Sequence, residues 1–308
     1  MGLSVGTDPE VFVMRDTRVV PAYFALDGKN YPLPHGTLVG DGAAIEFSVT
    51  PSDNPALVAA RVQENLHAAH EIVQRVLKDP AIKLVPMPWS PIALGDIQAL
   101  PESLGSQFSL QILGCAPDES AYAWVHQDRP DPRTYPARTT GGHIHVGLPR
   151  VFLDNRLAIM HASVALDSVL NITCQLSTAE RARDSAKRRY ELYGVPGMHR
   201  VSEYGTLEYR CLPAMALAGK PENATWFFGA AQTLIQPMVD AWFADPDDAL
   251  ARMRAASGSL AWVRQLVDAL RGDDMYDLAA LRDVYVERWQ VAFAAEIVVP
   301  PDMEIAYD

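Results

Sequence analysis

Short apolar runs broken by Asp, Gly and Pro fill the first fifty residues. Val11–Val13, Val19–Val20 and Ala43–Val49 each read as a strand bounded by turns. The pattern then changes period. Ser52, Asp53 and Asn54 precede Pro55 as a polar cap with proline in the first turn. Val58, Val62, Leu66, Ala69, Val73 and Val76 follow at helical spacing, which predicts an amphipathic helix to about Leu77. Ile82–Val85 and Leu110–Leu113 are predicted strands among Pro-rich turns, and Gly114–Asp118 a loop. A β-prone run, Gly141–Gly147, comes next. Asp154 is then predicted to cap a long buried helix, and a second helix extends to about Leu192. Thr206–Leu212 is the last clear strand, and from Pro221 onward the pattern is helical: Ala224–Phe243, Leu260–Leu270 and Leu278–Phe293. Strands and helices out of strict alternation predict an α+β fold. We expect one domain over residues 1–308, with 1–215 holding the sheet and 216–308 packed on it as a helical part.

Composition narrows the class. The chain has 308 residues, 49% of them hydrophobic and 21% charged, as in a soluble globular protein with a sizeable core. A net charge of −12 argues against general binding to nucleic acid or anionic membranes. Cys115, Cys174 and Cys211 are far apart and form no Cys-x-x-Cys, so neither a disulfide framework nor a zinc–thiolate site is indicated. A reducing, cytoplasmic setting is expected. No signal-peptide core opens the chain, and Gly6 stands where myristoylation needs Ser or Thr. The most apolar stretch, Leu157–Leu176, contains His161, Asp167, Asn171 and Gln175 and reads as a core helix rather than a membrane span.

The candidate chemistry lies in three i, i+2 pairs: Asp8/Glu10, His143/His145 and Glu208/Arg210. On an extended backbone each pair projects from one face, about 7 Å apart. Three such pairs, each bracketed by Gly or Pro, point to a single sheet with a polar, ion-binding face. Asp41 and Glu46 add carboxylates, with Gly42 placed to form a bulge that brings both to that face. A donor set of carboxylates with some imidazole and no sulfur suits Mg²⁺ or Mn²⁺ better than zinc. Converging acids without a cation would repel one another. Arg210, Arg200 and Arg189 are matched to phosphate oxygens, although Arg210 pairing with neighbouring acids is an alternative. Arg189 ends a basic block with Arg181, Arg183, Lys187 and Arg188, which also reads as a solvated helix face.

Read together, Thr7–Glu10, Gly40–Phe47, Gly141–Gly147 and Tyr204–Arg210 resemble the ordered motifs of the phage-type carboxylate–amine ligases, within the glutamine synthetase-like superfamily. Gly114–Asp118 and Arg138–Thr139 resemble that group's lead into the histidine strand. The resemblance implies a curved antiparallel sheet with helices on its convex side, ATP and two or more Mg²⁺ ions. It implies Asp8, Glu10, Glu46, His143 and Glu208 as metal ligands. Arg189, Arg200 and Arg210 would contact nucleotide phosphates, with Glu46, Arg200 and Arg210 in the catalytic group. Asp41, Asp118, Arg138, His145 and Tyr193 would stand nearer the substrates. An ATP-dependent ligase joining a carboxylate to an amine is therefore expected. A guanidino-type phosphotransferase and a non-catalytic nucleotide- or peptide-binding module are the alternatives.

Overall fold

The computed structural model describes residues 2–113, 119–127, 129–202, 204–272, 276–301 and 303–306. Strands β1 (Val5–Thr7), β2 (Glu10–Arg15) and β3 (Arg18–Val19) open the chain. After a one-turn helix α1 (Ala22–Ala25) come β4 (Tyr31–Leu33), β5 (Gly36–Asp41), β6 (Ala44–Phe47) and β7 (Val49–Ser52). Helix α2 runs Pro55–Leu77 as its period predicts, capped by the Asn54 side chain on the N–H groups of Ala56 and Leu57. Its buried stripe of Val58, Val62, Ala69 and Val73 packs against β7 and a later helix.

Short elements follow: β8 (Lys83–Val85), β9 (Trp89–Pro91), α3 (Leu94–Ala99), β10 (Glu119–Ser120) and β11 (Ala137–Thr139). The histidine strand β12 (Gly141–Gly147) leads into α4 (Arg150–Leu153) and α5 (Arg156–Leu166). A π-helical turn, Asp167–Asn171, joins α5 to α6 (Ile172–Ser177), and α7 (Glu180–Leu192) carries the basic block. Strands β13 (Met198–Val201) and β14 (Thr206–Pro213) precede α8 (Met215–Ala218), α9 (Pro221–Ala244), α10 (Pro246–Ser257), α11 (Leu260–Leu270) and α12 (Leu278–Phe293).

The fold is α+β with antiparallel sheets, but the acid, imidazole and arginine pairs do not share one sheet. Among the described residues one sheet runs β10-β13-β14-β12-β1-β7 and another β3-β2-β6-β5-β4, with β8 added beside β2. The predicted strand Ala43–Val49 is in fact two strands in two sheets. The break falls at Ser48, whose carbonyl accepts from the Asn65 amide instead of a ladder partner. Leu110–Leu113 forms no strand, because the Leu110 carbonyl is taken by the Arg138 guanidinium. Asn155, not Asp154, caps α5 through the N–H of Ala158.

One continuous apolar core runs from Leu3 to Ile305 and draws on both the sheet region and the C-terminal helices. Arg156–Ser177 is long and apolar enough to cross a membrane, yet 89% of that window is buried inside the fold. That burial matches the reading of a core helix.

Candidate active site

Pro9 divides the Asp8-Pro9-Glu10 stretch. Asp8 stands just past the end of β1, and Glu10 opens β2 in the other sheet. The two acids therefore do not lie on one strand, as their spacing predicts. The chain crosses between sheets at the proline, and each acid joins a different group.

Glu10 faces Glu46 directly across β2 and β6. Glu46 is also opposite Val39, so Asp41 is its diagonal neighbour on the same face. No bulge is needed: the chain reverses at Gly42 (φ 56°), and the Asp41↔Ala44 pair closes a two-residue hairpin. Ligand oxygens of Glu10, Asp41 and Glu46 lie within 4.8 Å of one another. Glu10 is buried and accepts the Gly141 N–H at 2.6 Å, which ties the two sheets together at the site. Burial first, and the charge of Asp41 second, push its carboxyl up to about 8. Burial also raises Asp41, against the pull of Arg210.

The second group is a row across the other sheet. His145 pairs with Glu208, and Glu208 with Arg200, so all three share a face. Asp8, His145 and Glu208 bring ligand atoms within 4.8 Å. Asp8 Oδ1 lies 3.1 Å from His143 Nδ1 and 3.1 Å from His145 Nε2. Burial opposes ionisation of Asp8, but His145 and His143 outweigh it and hold the carboxyl well below the usual range. His143 stands between the groups, with Nε2 3.7 Å from Glu10 Oε1 and Nδ1 3.7 Å from Glu208 Oε1. Burial, then the charge of Arg210, lowers His143 to about 4, so the ring is neutral at pH 7. With Asp8 ionised, Nδ1 carries the proton and Nε2 keeps its lone pair.

Among the described residues, the Nε2 atoms of His143 and His145 are both buried without a hydrogen-bond partner. His145 Nε2 is close to Asp8 but outside hydrogen-bond geometry. Unpartnered imidazole nitrogens beside clustered carboxylate oxygens are a donor set that fits divalent cations taking oxygen and nitrogen ligands.

The arginines divide in a way the sequence does not reveal. Arg200 forks onto Glu208, Nε to Oε2 at 2.9 Å and Nη2 to Oε1 at 3.0 Å, while about a third of it stays open to solvent. Arg210 pairs with the same carboxylate and donates Nε–H to the Tyr193 hydroxyl. Arg210, Tyr193, Glu10 and Asp41 line one pocket, with Ile112 and Leu113 as its apolar wall. Arg189, expected on phosphate, is instead a buried strut. It donates to the carbonyls of Thr140 (2.9 Å), Cys211 (3.0 Å) and Arg210 (3.1 Å), where the β12–β14 register shifts. Gly194, at φ 76°, leaves the space it occupies: a Cβ there would sit 1.8 Å from Arg189 Nη1.

Arg138 lines the same pocket, but four of its N–H groups go to the carbonyls of Leu110, Pro132, Tyr135 and Ala137. It holds the loop before β11 while still lining the pocket. Asp118 lies outside the described residues. Two participants escaped the sequence reading. Arg129 lies 5.3 Å over the Tyr193 ring from an irregular loop, and the Gly141 amide holds Glu10. Neither carries a local pattern; only the Gly141-Gly142 pair hinted at close backbone approach.

Two carboxylate groups thus lie on either side of a neutral imidazole, with Arg200 and Arg210 paired to Glu208 beside them. Residues 129–241 match the model of the family described as phage phiEco32-like COOH.NH2 ligase-type 2, which bears out the resemblance to the phage-type carboxylate–amine ligases. That stretch carries His143, His145, Arg200, Glu208 and Arg210; the fold brings Asp8, Glu10, Asp41 and Glu46 to it from outside. The match supports ligase activity, with a carboxylate and an amine as substrates. No curated protein matches the chain.

Proposed function

We propose that the protein is an ATP- and Mg²⁺-dependent ligase that joins a carboxylate to an amine through an acyl phosphate. The observation that carries this reading is that the two carboxylate groups lie on either side of His143, with Arg210 lining the pocket beside Glu10 and Asp41 and Arg200 paired to Glu208. Glu10, Asp41 and Glu46 would hold one cation by oxygen alone, which suits Mg²⁺. Asp8, His145 and Glu208, with His143 beside them, would hold another and also admit Mn²⁺. The cations supply neutralisation of phosphate charge and orientation of the γ-phosphate.

This chain's own residues do the rest by position. Glu208 would help hold a cation, and Arg210, steadied by Tyr193, and Arg200 would offer N–H groups to phosphate oxygens. A substrate carboxylate oxygen attacks the γ-phosphorus and ADP leaves. The amine nitrogen then attacks the acyl carbon, phosphate leaves, and the nitrogen gives up its proton. No protein nucleophile is required. Burial raises Cys174 to about 12 and raises Cys211 well above its ordinary range, so neither offers a thiolate. The reading includes a glutamine synthetase-like sheet architecture, a single catalytic domain and a cytoplasmic setting.

The test is phosphate release from ATP and Mg²⁺ with paired acids and amines. Release should require both substrates, and product mass should show a new amide rather than a phosphorylated acceptor. Glu46→Ala should lower turnover at least about a thousandfold while circular dichroism stays unchanged. Undiminished turnover in that variant would remove Glu46 from the site.

A further inference from the structure

Behind the strand that carries Glu208 and Arg210 lies a buried acid with no part in the chemistry described so far. Asp167 opens the π-helical turn between α5 and α6 and has no exposed surface. Its Oδ1 accepts from the Tyr209 hydroxyl at 2.5 Å and from Asn171 Nδ2 at 3.2 Å, and its Oδ2 accepts from the Tyr122 hydroxyl at 2.7 Å. Strand alternation turns Glu208 and Arg210 to the face of the candidate site and Tyr209 to the opposite face. The phenol of Tyr209 is thus a rigid rod from the functional strand to a fixed anchor.

We propose that Asp167 is a positioning residue, which sets the height of Glu208 and Arg210 in the candidate site through Tyr209. Three physical facts support it. A buried acid is costly, and an apolar side chain of similar size would stabilise a core as well or better, so stability alone does not account for this one. π-Helical turns recur at functional sites, and this one widens the helix where the acid meets the strand. The ladder irregularity between Gly142 and Ile144 removes regular pairing beside Arg210, so the strand needs another restraint there.

Tyr122 provides an internal control, because it bonds the same carboxylate from a loop and carries no site residue. The role assigned to Glu208 and Arg210 rests on the ligase reading, but their placement does not, so the test reads placement directly. The Nε–H resonance of Arg210, assigned by its loss in Arg210→Lys, is compared in Tyr209→Phe and Tyr122→Phe. We expect Tyr209→Phe to shift or broaden that signal and to lower kcat about tenfold, with KM for ATP within about twofold. Tyr122→Phe should leave both near wild type, although both variants lose one hydrogen bond to Asp167 and some thermal stability. Equal effects of the two variants on the Arg210 signal, or none from either, would overturn the proposal. A protein without ligase turnover in which only Tyr209→Phe moves the signal would refute the activity and keep the positioning role.

Discussion

The crowding of Glu10, Asp41 and Glu46 should be measurable as a stability defect in the cation-free protein. Glu10 ionises near 4.5 in an unfolded chain and near 8 in the fold, where burial and Asp41 disfavour its charge. Raising an acid's pKa in the folded state leaves stability intact below about pH 4.5 and removes it as pH climbs towards 8. At pH 7 the loss from keeping this carboxyl protonated is roughly 3 kcal/mol. Glu10→Gln has nearly the same shape, and its amide oxygen can still accept the Gly141 N–H. The variant should therefore be more stable than wild type by up to roughly 3 kcal/mol at pH 7 without divalent cation, and about equal to it at pH 4. Millimolar Mg²⁺ should stabilise wild type more than the variant, reversing much of that gap. Urea denaturation at pH 4, 5.5, 7 and 8, each with and without Mg²⁺, measures every one of these differences. A Glu10→Gln protein no more stable than wild type at pH 8, or a gap that does not change with pH, would refute the reasoning.

Other consequences are simpler to read. Arg189→Met keeps the length of the strut but leaves the Thr140, Arg210 and Cys211 carbonyls without their donors. It should cost about 4 kcal/mol in denaturant unfolding, more than any exposed arginine of α7. His161, which does not line the pocket, bonds Ser257 Oγ at 2.8 Å and is lowered to about 4 by burial and then by Arg254. A histidine with a lowered folded pKa stabilises above about 6.5 and loses that stability as pH falls through about 4. Wild type should thus lose roughly 3 kcal/mol more than His161→Gln between pH 7 and pH 3.5, and equal losses would discard the assignment.

Where one element supplied both pattern and partner, the sequence was a good guide. Helix α2 follows from its apolar period and the Asn54-Pro55 start, and Glu208 and Arg210 do share a strand face. The acids of the pocket were identifiable by type and by their turn-bounded settings. Their division between two sheets was not, because it depends on breaks at Pro9 and Ser48. A proline in such a position can end a strand or sit at its edge, and the Ser48 break is completed by Asn65, seventeen residues away. Asp41 shows the same limit: the sequence suggested a bulge at Gly42 to bring it to the face of Glu46, whereas a two-residue hairpin does so. The carbonyl partners of Arg138 and Arg189 were not legible because a guanidinium serves carbonyls as readily as phosphates. The choice between them is made by tertiary contacts with Leu110, Pro132, Thr140 and Cys211.

Anomalous scattering from crystals soaked with Mn²⁺ and a non-hydrolysable ATP analogue tests the central assignment most directly. The account predicts one peak among the carboxylates of Glu10, Asp41 and Glu46 and another beside Asp8, His145 and Glu208, with the γ-phosphate facing Arg210. Manganese bound elsewhere on the surface, with both carboxylate groups lacking a peak, would contradict it.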